Sequence, residues 1–241
     1  MVTNNAWNSQ NPAQVALGGT GVASTTAYAV LCGGTTTTNP LQSIASVGTS
    51  GQVLTSNGAG ALPTFQAGTG GNLVKIQTID ASSSATISFT TGITNTYTNY
   101  LIVISNMVPQ TTAKTFSMQV SSNGGVSYLN SGYVTRTSVT NTSNVFGSSS
   151  STTTFILSIT NDVVASSTQP YCACIYLYDV SDGNVPTISG QGTYQSTAAS
   201  SVDTCWFYGY GPTSTTVNAL QFSMSSGNIT TGKFTLYGIL Q

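Results

Sequence analysis

Much of the chain beyond residue 72 alternates apolar and polar side chains with a period of two. In one such segment Ile87 and Phe89 flank Ser88, and similar segments follow at intervals along the chain. The apolar members of these segments are Ala85, Ile87 and Phe89; Phe116, Met118 and Val120; Phe155, Leu157 and Ile159; Leu220, Phe222 and Met224; and Phe234, Leu236 and Leu240. This alternation is typical of strands with one buried face, and no segment shows helical periodicity. The pattern predicts an all-β, antiparallel structure.

Two further runs, Tyr100–Ile104 and Tyr171–Tyr178, are apolar on both faces. Strands of this kind lie in the centre of a sheet or face a second surface, such as a subunit interface. Turn-forming sequences separate the strands, at Ser122–Gly125, Ser181–Asn184, Gly209–Pro212 and Ser226–Asn228. About ten strands in roughly 170 residues is the spacing of a sandwich. We therefore predict that residues 72–241 form an antiparallel β-sandwich, jelly-roll-like in architecture.

Residues 1–71 have a different pattern. Gly, Thr, Asn, Ala and Ser dominate, no residue up to 70 is charged, and Leu17–Thr20 is loosely repeated at Cys32–Thr35. A third element, Gly51–Gly58, reads as a short strand that enters an Asn-Gly turn, and Ala61–Phe65 returns from it. Its apolar residues are too sparse to form a hydrophobic core of its own, so this segment is either a flexible linker or a thin structure covered by other chains. The repeat favours the second interpretation. We predict an extended stalk that oligomerises.

Only 4% of the residues are charged, against about 25% in an average soluble domain. The charged residues are Lys75, Lys114, Arg136 and Lys233, with Asp80, Asp162, Asp179, Asp182 and Asp203. Abundant Thr favours strands, and abundant Ser and Asn favour turns. Disorder is the competing interpretation, but 39% hydrophobic and 9% aromatic residues oppose it. Four scattered cations cannot neutralise a phosphate backbone, so we expect no nucleic-acid partner.

The chain contains neither His nor Glu, which removes the commonest general bases. A Ser/His/Asp or Cys/His nucleophile therefore cannot be assembled. A glycosidase could use Asp179 and Asp182, and the same segment could hold a calcium ion, but its sequence is that of a solvated turn. We predict that the protein is not an enzyme, has no catalytic residues, and binds neither a metal nor a cofactor.

Four cysteines are too few for a disulfide-rich scaffold. Cys172 and Cys174 lie two residues apart in a predicted strand, so they share a face and should not bond to each other. Either could pair with Cys205 if their strands are neighbours. We favour the interpretation that the cysteines are small, buried apolar side chains. The sequence leaves open whether Cys32, Cys172, Cys174 and Cys205 are oxidised.

Aromatic residues suggest where a ligand could bind. The segment Cys205–Tyr210 is dense in aromatics, and we expect Trp206 and Tyr208 to lie in the core or at a trimer interface. Tyr128, Tyr133 and Tyr194 lie in or beside turn-like segments. Exposed tyrosines stack on sugar rings and anchor protein contacts, so these three are the predicted receptor-contact residues.

No stretch of about 18 apolar residues is present, so we expect no insertion into a membrane. The start of the chain, Met1–Trp7, lacks the basic and apolar regions of a signal peptide. Surface-type composition without an export signal suits a protein that is released by cell lysis, as virion components are. We predict an extracellular or virion location.

Several segments resemble bacteriophage fibre proteins. Val15–Ser24 looks like the GGTG segments of phage tail fibres, and Gly48–Gly58 with Pro63–Gln66 is similar to a second recurrent stalk element. The remainder resembles the terminal β-sandwich of phage fibre and virion-surface proteins, through Tyr100–Ile104, Ser121–Gly125 and Gly232–Ile239. The chain is short for a fibre, and it shows no long coiled coil and no chaperone-like C-terminal tail.

The resemblance implies a homotrimer that belongs to a phage tail or capsid surface. An intertwined stalk would attach to other virion tail or baseplate proteins through the N-terminal segment, and the distal domain would contact a host cell-surface glycan or protein. An alternative is a self-assembling, pilin-like extracellular filament, in which an N-terminal strand completes a neighbour's sheet. The two differ in closure, because a trimer stops at three chains whereas strand donation is open-ended.

Overall fold

The computed structural model describes residues 19–36, 39–68, 72–140, 146–180, 183–197, 202–212 and 216–240. Within these ranges the chain forms sixteen strands and no helix, which confirms the all-β, antiparallel prediction. The chain divides into two compact units, residues 1–70 and 71–241.

The N-terminal unit contains two short antiparallel pairs. Their strands are β1 (Leu31–Cys32) with β2 (Gln42–Ser43), and β3 (Gln52–Thr55) with β4 (Thr64–Ala67). The predicted return after Asn57-Gly58 is confirmed, since β3 and β4 pair and the Asn57 Nδ2 donates to the Leu62 carbonyl at 2.7 Å. In the described part of this unit, Ile44 is the one buried apolar side chain. Residues 1–18, which include the first two residues of the Leu17–Thr20 repeat, lie outside the described residues.

The C-terminal unit contains an eight-stranded and a four-stranded sheet, so it has twelve strands where the sequence predicts about ten. The large sheet has the order β10-β9-β14-β13-β12-β7-β16-β5 and the small sheet the order β11-β8-β15-β6. The large-sheet strands are β5 (Leu73–Ser84), β7 (Asn99–Pro109), β9 (Val134–Thr140), β10 (Phe146–Ser151), β12 (Tyr171–Tyr178), β13 (Thr187–Gln195), β14 (Val202–Tyr210) and β16 (Ile229–Ile239). The small-sheet strands are β6 (Thr86–Phe89), β8 (Phe116–Ser121), β11 (Phe155–Ile156) and β15 (Ala219–Met224).

The two sheets share one apolar core. Phe116 on β8 meets Tyr171 on β12 with ring centroids 4.9 Å apart, and Phe222 on β15 meets Phe234 on β16 at 5.4 Å. All four side chains are at most 1% exposed. They point into the same layer because each occupies an inward position of the period-two pattern. Burying each such side chain stabilises the fold by about 1.5–3 kcal/mol, so the aromatic layer fixes how the sheets pack.

The two strands predicted to be apolar on both faces are β7 and β12. They are neighbours in the middle of the eight-stranded sheet, where Ile102 pairs with Ile175. Their predicted central position is therefore confirmed.

Glycines at turns have the backbone conformation that the sequence predicts. Gly124 and Gly125 have φ of 72° and 85°, and Gly227 has φ of 76°, which favours glycine because it lacks a Cβ. The turn predicted at Gly209–Pro212 is wrong in its first half, since Gly209 and Tyr210 belong to β14. A Cβ on Gly209 would lie 2.4 Å from the Val134 carbonyl oxygen, so glycine is needed here for a close approach of β14 to β9.

Candidate functional site

The outer face of the large sheet carries a row of exposed or half-exposed aromatic side chains. They are Tyr176 and Tyr178 on β12 and Trp206, Tyr208 and Tyr210 on β14. Tyr176, Trp206, Tyr208 and Tyr210 are 40–52% exposed. Their neighbours along the same strands, such as Leu177 and Phe207, are buried in the core. Because successive side chains of a strand point to opposite faces, the core holds β12 and β14 so that the aromatic residues face outwards.

Strand β13 runs between β12 and β14 and presents small polar side chains. The register pairs Ser189 with Tyr176 on one side and with Tyr208 on the other. In the same way, Thr187 lies between Tyr178 and Tyr210, and Gln191 between Cys174 and Trp206. Neighbouring strands are about 4.8 Å apart, so the two aromatic walls are roughly 10 Å apart. We call this feature the aromatic groove: its walls are the five aromatic residues and its floor is Thr187, Ser189 and Gln191.

A cavity of about 640 Å³ opens beside the aromatic groove, between β14, β9 and β10. Its volume falls in the range of small-ligand sites in proteins. The exposed or half-exposed side chains along it are Val134, Arg136, Ser150, Ser151, Thr152, Tyr208 and Tyr210. We call it the Arg136 cavity. Tyr208 and Tyr210 belong both to this cavity and to the groove, so the two features form one continuous surface.

Arg136 lines this cavity from β9, the middle one of its three strands. Its strand pairs it directly with Tyr208 on one side and with Ser150 on the other. Among the described residues the one ion pair joins the Lys233 Nζ to the Asp80 Oδ1 at 2.6 Å, so Arg136 has no carboxylate partner there. Its guanidinium therefore presents a fork of N–H donors to the cavity.

Tyr133, one of the predicted receptor contacts, is fully buried. Its hydroxyl accepts a hydrogen bond from the Val120 N–H at 3.0 Å and donates one to the Leu129 carbonyl at 3.0 Å. Burial raises the pKa of this phenol to about 12. The predicted exposure of Tyr133 is wrong, because the side chain turns inwards and satisfies a backbone N–H of β8 and a backbone carbonyl of the loop that follows β8.

Tyr194, the second predicted contact, is buried, and Tyr128, the third, is half-buried. Tyr194 is 1% exposed; its hydroxyl donates to the Asp162 Oδ2 at 3.1 Å and accepts from the Ile159 N–H at 3.2 Å. Burial raises the pKa of Tyr194 well above its usual value. The predicted exposure of Tyr194 is therefore wrong as well. The Tyr128 hydroxyl is covered by the protein and has no hydrogen-bond partner among the described residues.

Asp162 is one of two buried carboxylates in the described part of this unit, the other being Asp203, and it accepts four hydrogen bonds. Besides the Tyr194 hydroxyl, it accepts from the Ser196 hydroxyl at 2.9 Å, the Thr197 N–H at 3.0 Å and the Thr197 hydroxyl at 2.7 Å. Such a set of donors compensates for the cost of burying a charge. These bonds join the loop that carries Asp162 to the residues at the end of β13.

Trp206 and Tyr208 do not lie in the core of this unit, which was one of the two predicted locations. They are 44% and 52% exposed on the outer face. Their placement at a trimer interface stays a prediction. Tyr176, Tyr178, Tyr210 and Arg136 belong to the same surface and were not singled out from the sequence, although the spacing of the three tyrosines in their strands is a usable signal.

Cys172 and Cys174 lie on the outer face of β12, so the prediction that they share a face is confirmed. Cys205 lies on the inner face of β14, with β13 in between, and it is fully buried. These three and the half-buried Cys32 are free thiols. Cys205 thus fits the expected small buried residue, whereas the exposed Cys174 does not. Burial raises the pKa of Cys205 to about 12.

The sequence suggested two aspartates as the candidates for chemistry, Asp179 and Asp182. Asp179 is exposed, and Asp182 lies outside the described residues. The described part of the chain contains no group of three His, Cys, Asp or Glu side chains that could hold a metal ion. Nor does this part contain a helix long and apolar enough to span a membrane.

No protein-family model, no curated protein and no solved structure matches this chain.

Proposed function

We propose that the chain is a structural virion protein, a phage tail fibre or capsid-surface fibre, which attaches to the host surface through a trimeric β-sandwich tip. The observation that carries this proposal is the aromatic groove. Exposed Tyr and Trp rings above a floor of hydroxyl and amide groups form the combination that stacks on sugar rings and bonds to their hydroxyls. A contiguous exposed aromatic surface is uncommon on a monomeric soluble protein and indicates binding.

We infer further that the sandwich is a jelly roll with two added hairpins. Support comes from the strand order after β9, β10, β13 and β14 are set aside. The remaining strands are ordered β5-β16-β7-β12 in one sheet and β6-β15-β8-β11 in the other. Numbered one to eight along the chain, these orders are 1-8-3-6 and 2-7-4-5, which is the double Greek key of a jelly roll.

The N-terminal unit supports the trimeric part of the proposal. Tyr28 is 99% exposed, Val53 50% and Leu54 43%, in a unit whose described part has one buried apolar side chain. Apolar residues exposed in this way gain stability if neighbouring chains cover them. A stalk of three such segments would bury them and leave the N-terminal end for other virion proteins.

Binding to host cells tests the proposal. Labelled full-length protein is mixed with a panel of bacteria and with their isolated surface polysaccharides, and bound protein is quantified. The double variant Trp206→Ala/Tyr208→Ala is expected to lose at least tenfold in binding. Val126→Ala serves as the control, because Val126 is 86% exposed but lies outside the groove. Binding that is unaffected by the double variant, or absent from every cell and polysaccharide, would contradict the proposal.

A filament remains the second candidate, and strand β5 favours it. This strand is 12 residues long and lies at an edge of the large sheet, so one side of its backbone is unpaired within the sheet. Such an edge is a site where a strand of another chain can add. Light scattering separates the two candidates: a discrete particle near three times the 24.7 kDa chain supports the trimer. Open-ended polymers that disappear when residues 1–70 are deleted support the filament.

A further inference from the structure

We propose that the Arg136 cavity binds an acidic saccharide, with the guanidinium of Arg136 holding the sugar carboxylate and Tyr208 stacking on the ring. This inference rests on the proposed function, because it names the class of surface glycan that the outer face would recognise. Its grounds are the position of Arg136, the charge of the cavity and the rigidity of strand β9.

The position of Arg136 brings it close to other groups that a sugar could contact. Ser150, Arg136 and Tyr208 stand side by side on three adjacent strands, and all three are exposed on the same face. Adjacent strands are about 4.8 Å apart, so a sugar ring stacked on Tyr208 has its substituents within reach of Arg136. The hydroxyls of Ser150 and Thr152 lie along the far side of the same cavity and can bond to ring hydroxyls. One ligand can therefore contact the Tyr208 ring, the Arg136 guanidinium and the serine and threonine hydroxyls at the same time.

Charge determines which substituent fits. Arg136 is the one arginine of the chain, and no Lys or Asp borders the cavity. A guanidinium forms two parallel hydrogen bonds with a carboxylate, and such charge-assisted bonds are stronger than neutral ones. One cation balances one negative charge, so a monoanionic carboxylate fits better than a doubly charged phosphate. The walls of Tyr208, Tyr210 and Val134 reduce solvent around this contact, which strengthens it.

Strand β9 holds Arg136 in place from the opposite face of the sheet. Thr135 and Thr137, on either side of Arg136, are 4% and 0% exposed and point into the sandwich. The Thr137 hydroxyl donates to the Ile156 carbonyl at 2.7 Å, and the Ile156 N–H donates to the Thr135 hydroxyl at 3.4 Å. These bonds join β9 to β11 of the small sheet. The strand below the ligand is therefore fixed before binding, which reduces the entropy lost on association.

The test uses full-length protein and oligosaccharides of galacturonic, glucuronic and sialic acid. Each is paired with its carboxyl-reduced counterpart, which keeps the ring and replaces the carboxylate by a neutral alcohol. By titration calorimetry, the wild type is expected to bind at least one acid about 10- to 100-fold more tightly than its reduced form. Arg136→Gln is expected to abolish this preference, and Arg136→Lys to restore part of it. Lys75→Gln, which removes an exposed cation from β5 at the far side of the sheet, is the matched control and should change nothing.

Equal affinity for the acidic and reduced forms, or unchanged binding in Arg136→Gln, would overturn this inference. So would the failure of all three acids to bind. If neutral glycans or host cells still bind and Trp206→Ala/Tyr208→Ala prevents it, the proposed function stands and only the acidic ligand is wrong. If neither glycans nor cells bind, both proposals fail. Because Arg136 is exposed, its variants should keep the wild-type fold, which circular dichroism verifies.

Discussion

Gly190 and Phe207 lie opposite each other in the β13–β14 ladder, and the Phe207 ring fills the space that a side chain at position 190 would need. A Cβ on Gly190 would lie 2.4 Å from the Phe207 Cε2 and 2.3 Å from the Cys174 carbonyl oxygen. The absence of a side chain therefore lets Phe207 cover β13 from the core side. This contact lies beneath the floor of the aromatic groove, so it links the packing of the core to the shape of the outer face.

Substitution of this glycine should destabilise the sandwich. Gly190→Ala forces the Phe207 ring and the β12 backbone to move, and overpacking of this kind costs about 1–3 kcal/mol. We expect the free energy of unfolding in urea to fall by that amount. Gly33→Ala is the control, since a Cβ at position 33 meets nothing within 4 Å, and unfolding of the C-terminal unit should be unchanged. Equal stability of Gly190→Ala and wild type would show that the contact is not tight.

The hydroxyl of Tyr133 is expected to matter for stability and not for binding. Tyr133→Phe leaves the Val120 N–H and the Leu129 carbonyl without this partner, at a cost of about 1–3 kcal/mol. Tyr208→Phe removes an exposed hydroxyl and should change the unfolding free energy by less than about 0.5 kcal/mol. Urea unfolding of both variants measures the difference. A Tyr133→Phe protein as stable as the wild type would mean that water replaces the hydroxyl.

Stability should fall at alkaline pH. Burial raises the pKa of Tyr133 from 10.0 to about 12 and that of Cys205 from 9.0 to about 12, so the folded protein holds these protons more tightly than the unfolded chain. Their contribution is therefore complete below about pH 9 and is lost as pH rises towards 12. Urea unfolding between pH 8 and 12 measures this loss. The loss should be smaller in Tyr133→Phe and Cys205→Ala, and a pH dependence identical to that of the wild type in both variants would contradict the assignment.

The cysteines should differ in reactivity. Cys174 is exposed on β12, whereas Cys205 is fully buried and its raised pKa disfavours the reactive thiolate. In folded protein, a thiol reagent should modify Cys174 rapidly and Cys205 only after unfolding. Mass spectrometry of peptides after timed labelling identifies the sites. Rapid labelling of Cys205 in the folded state, at a rate comparable to that of Cys174, would indicate that β14 opens readily.

The sequence predicts the core well and the candidate site poorly, for one physical reason. Phe116, Phe222 and Phe234 alternate with polar residues, so their strands and their buried faces follow from the pattern alone. Strands β9 and β13 lack this signal. The inward positions of β9 include Thr135 and Thr137, which form hydrogen bonds to β11. Those of β13 include Gly190 and Gly192, which allow neighbouring groups to approach closely. Because these inward residues are not apolar, the alternating pattern does not reveal which face of the strand is buried.

The sequence also does not predict which tyrosine side chains point into the core and which point outwards. Tyr133 and Tyr194 precede or follow loops, which suggests exposure, but each turns inwards to bond to backbone groups and, for Tyr194, to a carboxylate. Trp206 and Tyr208 lie among residues that suggest a core and instead face outwards. Which face is buried depends on the register with β13 and β9, and that register is set by residues distant in the chain.

Strands β10, β9, β14 and β13 lie next to one another at one side of the large sheet, although they form two hairpins that are separate in the chain, β9–β10 and β13–β14. These two hairpins supply the Arg136 cavity, together with one wall and the floor of the aromatic groove. They do not supply Phe116, Phe222 and Phe234 at the centre of the core. Ligand preference and fold can therefore diverge independently: exchanging the outward residues of four strands gives a protein with a different target on the same scaffold. A lineage that must follow a changing partner surface gains from such a division, because a new specificity does not require a new core.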